Sequence, residues 1–254
     1  MTSESAAASP WLSLATLVVT LLLLLWVTRW ITRRLHFLGM RWLNDPGLVL
    51  WIYFALILPG IILHELSHWL TAWLLGVRAS LPKIGPAQTK SRRGTTVSLG
   101  SVQTAKADPL RYSLIGLAPL LAGATVIFLI GTHVLGVNEL TANGLAGFWA
   151  GLDDLLRVPD IWLWFYLIFA VSNAMLPSES DMQPVRPVLI FLGIVSVVAI
   201  LVVGLPNVPP GIVTGVSAFA AYLASAFALT LAVDAVFMLF IALFGVLTDV
   251  LKPR

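Results

Sequence analysis

The chain contains no cysteine, so neither disulfides nor thiolate metal ligands are available, and any metal must be held by histidine, carboxylate or water. Charge is scarce as well. Asp, Glu, Lys and Arg make up 11% of the 254 residues, against 59% hydrophobic residues and a mean hydropathy of +0.94. A water-soluble core of this length needs no such apolar excess, which places the chain among polytopic membrane proteins. Internal repeats and low-complexity tracts are missing too, and the Ser and Ala near the N-terminus read as a frayed tail. The net charge of +3 does not point to nucleic acid. The basic residues stand in loops beside apolar runs, where lipid headgroups and topology account for them.

What the chain does have is long apolar runs. Windows of about 20 apolar residues fall at Trp11–Ile31, Leu48–Leu75, Tyr112–Leu135, Ile161–Leu176, Val188–Leu205 and Ile212–Leu247. The expected fold is therefore all-α and polytopic, with about six transmembrane helices. The first run lacks a charged n-region and a cleavage pattern, and reads as a retained helix. The last is longer than one perpendicular crossing and fits one tilted helix, a helix with an interfacial extension, or two short passes.

Charge assigns sides. Arg78, Lys83, Lys90, Arg92, Arg93, Lys106 and Arg111 lie between the second and third runs, and the segment after the third carries Glu139, Asp153, Asp154 and Asp160 with only Arg157 as a base. The positive-inside rule makes the first segment cytoplasmic and the second external. Six crossings then put both termini in the cytoplasm. Arg29, Arg33, Arg34 and Arg41, after the first run, oppose this assignment.

The basic segment also carries β-prone stretches, Val77–Leu81 and Thr95–Val102, separated by Pro82, Gly85, Pro86 and Gly94. This pattern predicts a small hairpin or sheet within residues 77–102. Residues 143–157 space Leu145, Phe148, Trp149, Leu152, Leu155 and Leu156 at three and four, which predicts an amphipathic helix on the membrane surface.

His64-Glu65-Leu66-Ser67-His68 lies inside the second run. Residues four apart share a helix face, so His64 and His68 can offer two imidazole nitrogens to one zinc ion, with Glu65 beside them as candidate general base. Three ionisable groups at membrane depth, each penalised by roughly 2.5–3.5 kcal/mol on insertion scales, imply a compensating partner. With four His and four Glu in the chain, a chance match to HExxH is on the order of one in a thousand. A catalytic zinc needs a third protein ligand. His36, His133 and Asp234 are candidates, but the topology puts the first two at the opposite ends of their spans and the third deep in the last run. Asp181 follows the fourth run on the same side as the motif, within the polar group Ser172, Asn173, Pro177, Glu179 and Asp181.

HExxH in a membrane helix, followed two spans later by Asn173 and Asp181, resembles the site-2 protease family of intramembrane zinc metalloproteases. Gly116-Leu117-Ala118-Pro119 is similar to the Gly-Pro motif of that family's second core helix. Where the family usually has Gly after the aspartate, this chain has Met182. The resemblance implies a three-helix catalytic core within residues 47–186, preceded by an N-terminal helix and linker (1–46) and followed by C-terminal helices (187–254). It implies one Zn2+ held by His64, His68 and Asp181, with Glu179 as an alternative ligand, Glu65 as base, and Asn173 positioning the substrate carbonyl or its oxyanion. It further implies that an extended transmembrane substrate adds as a strand to the β-prone loop at Thr96, Val97, Ser98 and Leu99. The expected activity is zinc-dependent hydrolysis of peptide bonds in or near transmembrane segments, by a multi-pass protein of a bacterial-type plasma membrane whose site opens to the cytoplasm. No segment is large enough for a PDZ domain. The competing readings are a membrane metal transporter or sensor, whose ligands would be strung along a path through several spans, and a catalytically silent scaffold of the same family.

Overall fold

A computed structural model describes residues 10–91, 94–137, 154–203 and 209–251. They are mostly helical. In chain order the elements are α1 (Pro10–Leu43), α2 (Pro46–Leu56), α3 (Leu58–Leu74), β1 (Lys83–Ser91), β2 (Gly94–Ser101), α4 (Pro109–His133), α5 (Ile161–Met175), α6 (Glu179–Val203) and α7 (Pro210–Leu251). Three helices, α1, α4 and α7, are long and apolar enough to cross a membrane; the number rises to five if the bent pairs α2/α3 and α5/α6 each count as one span.

Proline sets both bends. Pro59, in the first turn of α3, has no N–H to give the carbonyl of Ala55, and its ring crowds that carbonyl, so α2 ends at Leu56 and the two axes differ by 73°. Asp45 caps the start of α2, accepting from the N–H groups of Gly47 (2.8 Å) and Leu48 (3.2 Å). In the other pair Leu176 precedes Pro177 and is extended, which ends α5; α6 leaves at 59°.

Side-chain contacts give the helix directions. Gly60 of α3 lies against Ala170 and Ala174 of α5, and His64 reaches Ala174, so these two run parallel. On α4, Gly116 meets Asp181 and Gly123 meets Met175, so α4 runs the opposite way. Tyr222 bonds Thr125, and Leu229 lies against Gly131, so α7 runs with α4; Arg34 packs at Gly245 and Arg41 pairs with Asp249, so α1 does too.

The described helices give three to five candidate spans where the sequence reading expects about six. α5 ends, and α7 begins, at the end of the bundle where the β-hairpin stands. α6 leaves from that end and α7 starts again at it, so the bent pair α5/α6 counts as at most one candidate span, although hydropathy alone marks Val188–Leu205 as a span of its own. A hydropathy window records apolarity, not where a helix returns. The long run near the C-terminus is one unbroken helix of 42 residues, about 63 Å long and twice the hydrocarbon thickness. The first residue of α1 and the last of α7 lie at opposite ends of the bundle, not at one end as an even number of crossings would require.

The core lies between α1, α3, α4, α5 and α7, with Leu24, Ile31, Ile127, Ile168, Phe169 and Phe227 at 0–1% exposure. Gly60 permits the tightest approach: a Cβ there would overlap the backbone carbonyl of Ala170. Large apolar side chains on the outside of α1, α6 and α7, such as Trp11, Phe191 and Phe244, are exposed, as suits surfaces facing lipid.

The β-hairpin differs in its first strand from the sequence expectation. β1 begins at Lys83 and runs through Gly85 and Pro86, which the sequence reading treats as breakers. The antiparallel pairing slips between Ile84 and Ala87, forming a bulge that takes up Gly85, at φ +151°, and a proline with no ladder N–H to give. Residues 78–80 also pair, further along the ribbon, through Ser80 N–H to Gln103 O and Ala105 N–H to Arg78 O, both 2.8 Å. The expected amphipathic helix at 143–157 lies outside the described residues except for its end, where 154–156 are helical.

Candidate metal centre

α3 turns His64, Glu65 and His68 toward α4, α5 and the hairpin. His64 Nδ1 lies 2.7 Å from the carbonyl oxygen of Ala174, and His68 Nδ1 lies 2.8 Å from that of Ile115. Both carbonyls are ones that helix geometry leaves without a donor. Pro119 has no N–H for Ile115, four residues earlier in α4. Ala174 stands in the last turn of α5, where carbonyls go unpaired. Each carbonyl therefore takes an N–H from an imidazole, which fixes both Nδ1 atoms as donors and leaves both Nε2 lone pairs free.

Those two Nε2 atoms lie 3.1 Å apart. Asp181 completes the group: its Oδ1 is 3.3 Å from Nε2 of His68 and its Oδ2 is 3.6 Å from Nε2 of His64. Ligands about 2.1 Å from a tetrahedral ion lie roughly 3.4 Å from one another, so these spacings fit one shared ion. Among the described residues, His64, His68 and Asp181 are the group of His and carboxylate side chains able to hold a metal.

The start of α6 orients Asp181. Ser178 N–H and Ser178 Oγ–H both donate to Asp181 Oδ2, at 2.7 and 2.6 Å, and Asp181 N–H faces Ser178 Oγ at 3.3 Å. This reciprocal capping box ties the carboxylate to the helix N-terminus. Met182 follows within the first turn of α6, where no glycine is needed. Gly116 lets α4 approach, since a Cβ there would strike the carbonyl of Asp181.

Glu65 is 6% exposed and rests on β2. A Cβ at Gly100 would come within 2.5 Å of its Oε1 and 2.6 Å of its Cγ. The two histidines, Glu65, Asp181, Asn173, the stretch Val97–Ser101 of β2 and Val102 after it line one pocket of about 1,100 Å3. β1 occupies one edge of β2, and no described strand pairs with the other. Val97, Ser98 and Leu99 line the pocket on the side of that free edge. For Thr96 the register alone is described, opposite Thr89.

Asn173 lines the pocket, but its amide is turned inward, donating to Phe169 O (2.9 Å) and Ser172 Oγ (3.2 Å), while its buried Oδ1 has no partner among the described residues. Ser172 Oγ–H in turn faces Asp234 at 3.0 Å, and Ser172 and Asp234 are both fully buried. Asp234 is thus tied to Asn173 through Ser172 and stands apart from the metal group. His36 is exposed on α1, His133 bonds Thr132 and Leu129 at the far end of α4, and Glu179 lines the pocket without joining the group. Sequence reasoning did not identify Pro119 as the residue that frees a carbonyl for His68, nor Gly60 and Gly100 as points of close approach. The HExxH and Gly-Pro segments belong to separate helices, and only their packing joins them.

No family model, curated protein or solved structure matches the chain.

Pro119→Ala restores an N–H that competes with His68 for Ile115 O. Because an interior proline disfavours a helix by about 3 kcal/mol, the variant is expected to melt no lower than wild type. Its metal affinity should fall about 10- to 100-fold, the usual effect of losing an orienting partner. Isothermal titration with zinc on metal-stripped protein, beside a thermal melt, checks both halves.

Proposed function

We propose that the chain is an intramembrane zinc metalloprotease of the site-2 protease type, cleaving membrane-spanning proteins or peptides. The observation that carries this reading is the convergence of His64 Nε2, His68 Nε2 and the Asp181 carboxylate within 4.8 Å of one another, with Glu65 beside them in the same pocket.

The three side chains would hold the ion through two neutral imidazoles and one carboxylate, a set that leaves a fourth position open. Zinc bound there would supply Lewis acidity and lower the pKa of a bound water toward about 7. Glu65 takes a proton from the attacking water and returns it to the leaving amine. The free edge of β2 offers main-chain groups along Val97–Ser101, beside Glu65, to which an unwound substrate segment adds as a strand. A helical substrate shields its peptide bonds, and this pairing holds them open. Asn173 can donate to a substrate carbonyl only by releasing Phe169 O or Ser172 Oγ, its two present acceptors.

We read the hairpin end, with the pocket and the start of α1, as cytoplasmic because the segment between α3 and α4 carries Arg78, Lys83, Lys90, Arg92, Arg93, Lys106 and Arg111; the end of α7 is then read as external. A transporter would string its ligands along a path, whereas among the described residues they gather at one depth.

The test uses purified protein in liposomes with a mixture of synthetic single-span peptides, and mass spectrometry of new peptide termini. Cleavage should appear with one zinc per chain, stop on treatment with 1,10-phenanthroline, and return when zinc is restored. Zinc flux across the same liposomes without any new termini would overturn the proteolytic reading in favour of transport.

A further inference from the structure

α1 carries a second cluster that the metal centre does not use. Leu22, Leu25, Trp26, Arg29, Trp30, Arg33, Arg34 and Phe37 line a pocket of about 620 Å3, and the arginines stand at the end of the bundle opposite the hairpin. Arg29 lies 19 residues after the first residue of α1, about 29 Å along the axis, close to the thickness of a bilayer's hydrocarbon core. The three arginines thus reach headgroup level as the apolar run ends. Trp26 and Trp30 beside them suit an interfacial belt.

Their charges are not answered within the described protein. Arg41, about two turns further on, is paired with Asp249 at 2.9 Å. None of the described ion pairs includes Arg29, Arg33 or Arg34. Arg29 and Arg33 are four apart on one helix, a like-charge spacing that destabilises the helix unless an anion lies between them. Arg34 is held against Gly245 with its guanidinium over the Phe37 ring at 5.6 Å, and its buried Nε has no acceptor. Guanidinium groups take phosphate oxygens through paired N–H donors. The wall one to two turns toward the middle of the helix is apolar, formed by Leu22, Leu25 and Trp26.

We propose that Arg29, Arg33 and Arg34 form a binding site for the phosphate of an anionic phospholipid, whose glycerol and upper acyl chains lie on Leu22, Leu25 and Trp26. Free phosphate shares the headgroup chemistry but has nothing to place on the apolar wall. The site accounts for a basic cluster on the side where the positive-inside rule does not call for one, and it does not depend on proteolysis.

The test is native mass spectrometry of delipidated protein in a non-ionic detergent, titrated with dioleoyl phosphatidylglycerol, dioleoyl phosphatidylcholine or inorganic phosphate. Wild type should bind the anionic lipid in preference to phosphatidylcholine. Arg29→Gln and Arg33→Gln, both at exposed positions, should each weaken that binding about fivefold, leave phosphatidylcholine binding unchanged, and elute from a sizing column as wild type does. Arg41→Gln should leave lipid preference intact, and Trp26→Ala should weaken lipid binding only. Equal affinity for the two lipids in wild type, or an anionic preference that survives both Gln variants, overturns the site. Displacement of the lipid by equimolar inorganic phosphate overturns the assignment to lipid.

Discussion

Glu65→Gln is expected to lower peptide-bond cleavage by about 10²- to 10⁴-fold, the range attributed to a positioned general acid–base group, while one zinc per chain remains bound. Gln matches Glu in shape, so the contact against Gly100 survives, where a Cβ would meet Glu65 Cγ at 2.6 Å. The His64, His68 and Asp181 atoms that converge on the metal position do not include Glu65, so the ion keeps its ligands. Only proton transfer is lost. The measurement is single-turnover cleavage of a peptide that wild type cuts, with zinc counted by plasma emission on the same samples. Full zinc with undiminished cleavage would show that Glu65 is not the base. Loss of zinc together with cleavage would show that Glu65 supports the ion.

How far the sequence led depends on the residue. His64 and His68 were legible because a spacing of four on a helix is a local fact, and membrane depth makes charge conspicuous. Asp181 was legible for a different reason: two apolar runs that cross in the same direction bring their later ends to one side. The role of Pro119 was not legible. A missing N–H on α4 matters here only because α3 packs against that turn and offers His68 in its place. Gly60 and Gly100 were silent for the same reason, since what a Cβ would strike belongs to another element. Hydropathy counted α6 as a span because its exposed Leu189, Ile190, Phe191 and Leu192 are as apolar as any crossing helix. The strand β1 was displaced because a bulge lets Gly85 and Pro86 sit inside a pairing that their propensities oppose.

The proposed third ligand, Asp181, carries the other large effect, and the capping box allows two roles of one carboxylate to be separated. Asp181 Oδ2 accepts from Ser178 N–H and Oγ–H while Oδ1 faces His68. Asp181→Asn keeps an oxygen for the cap but replaces an anionic ligand with a neutral one. It is expected to melt close to wild type and to bind zinc more than about 100-fold more weakly, beyond the usual loss for an outer-shell partner. Asp181→Ala should lose zinc to the same degree and, in addition, about 0.5–2 kcal/mol of helix-cap stability. His68→Ala should lose zinc as well, and it leaves the Ile115 carbonyl buried without a donor, a penalty of about 1–3 kcal/mol. Zinc titration and melting of the three proteins, with Glu179→Gln beside them, decide the assignment. If Asp181→Asn retains wild-type affinity and Glu179→Gln loses it, the ion's third ligand is Glu179, and the first turn of α6 must rotate to present it, because the cap now turns Asp181 and not Glu179 toward the histidines.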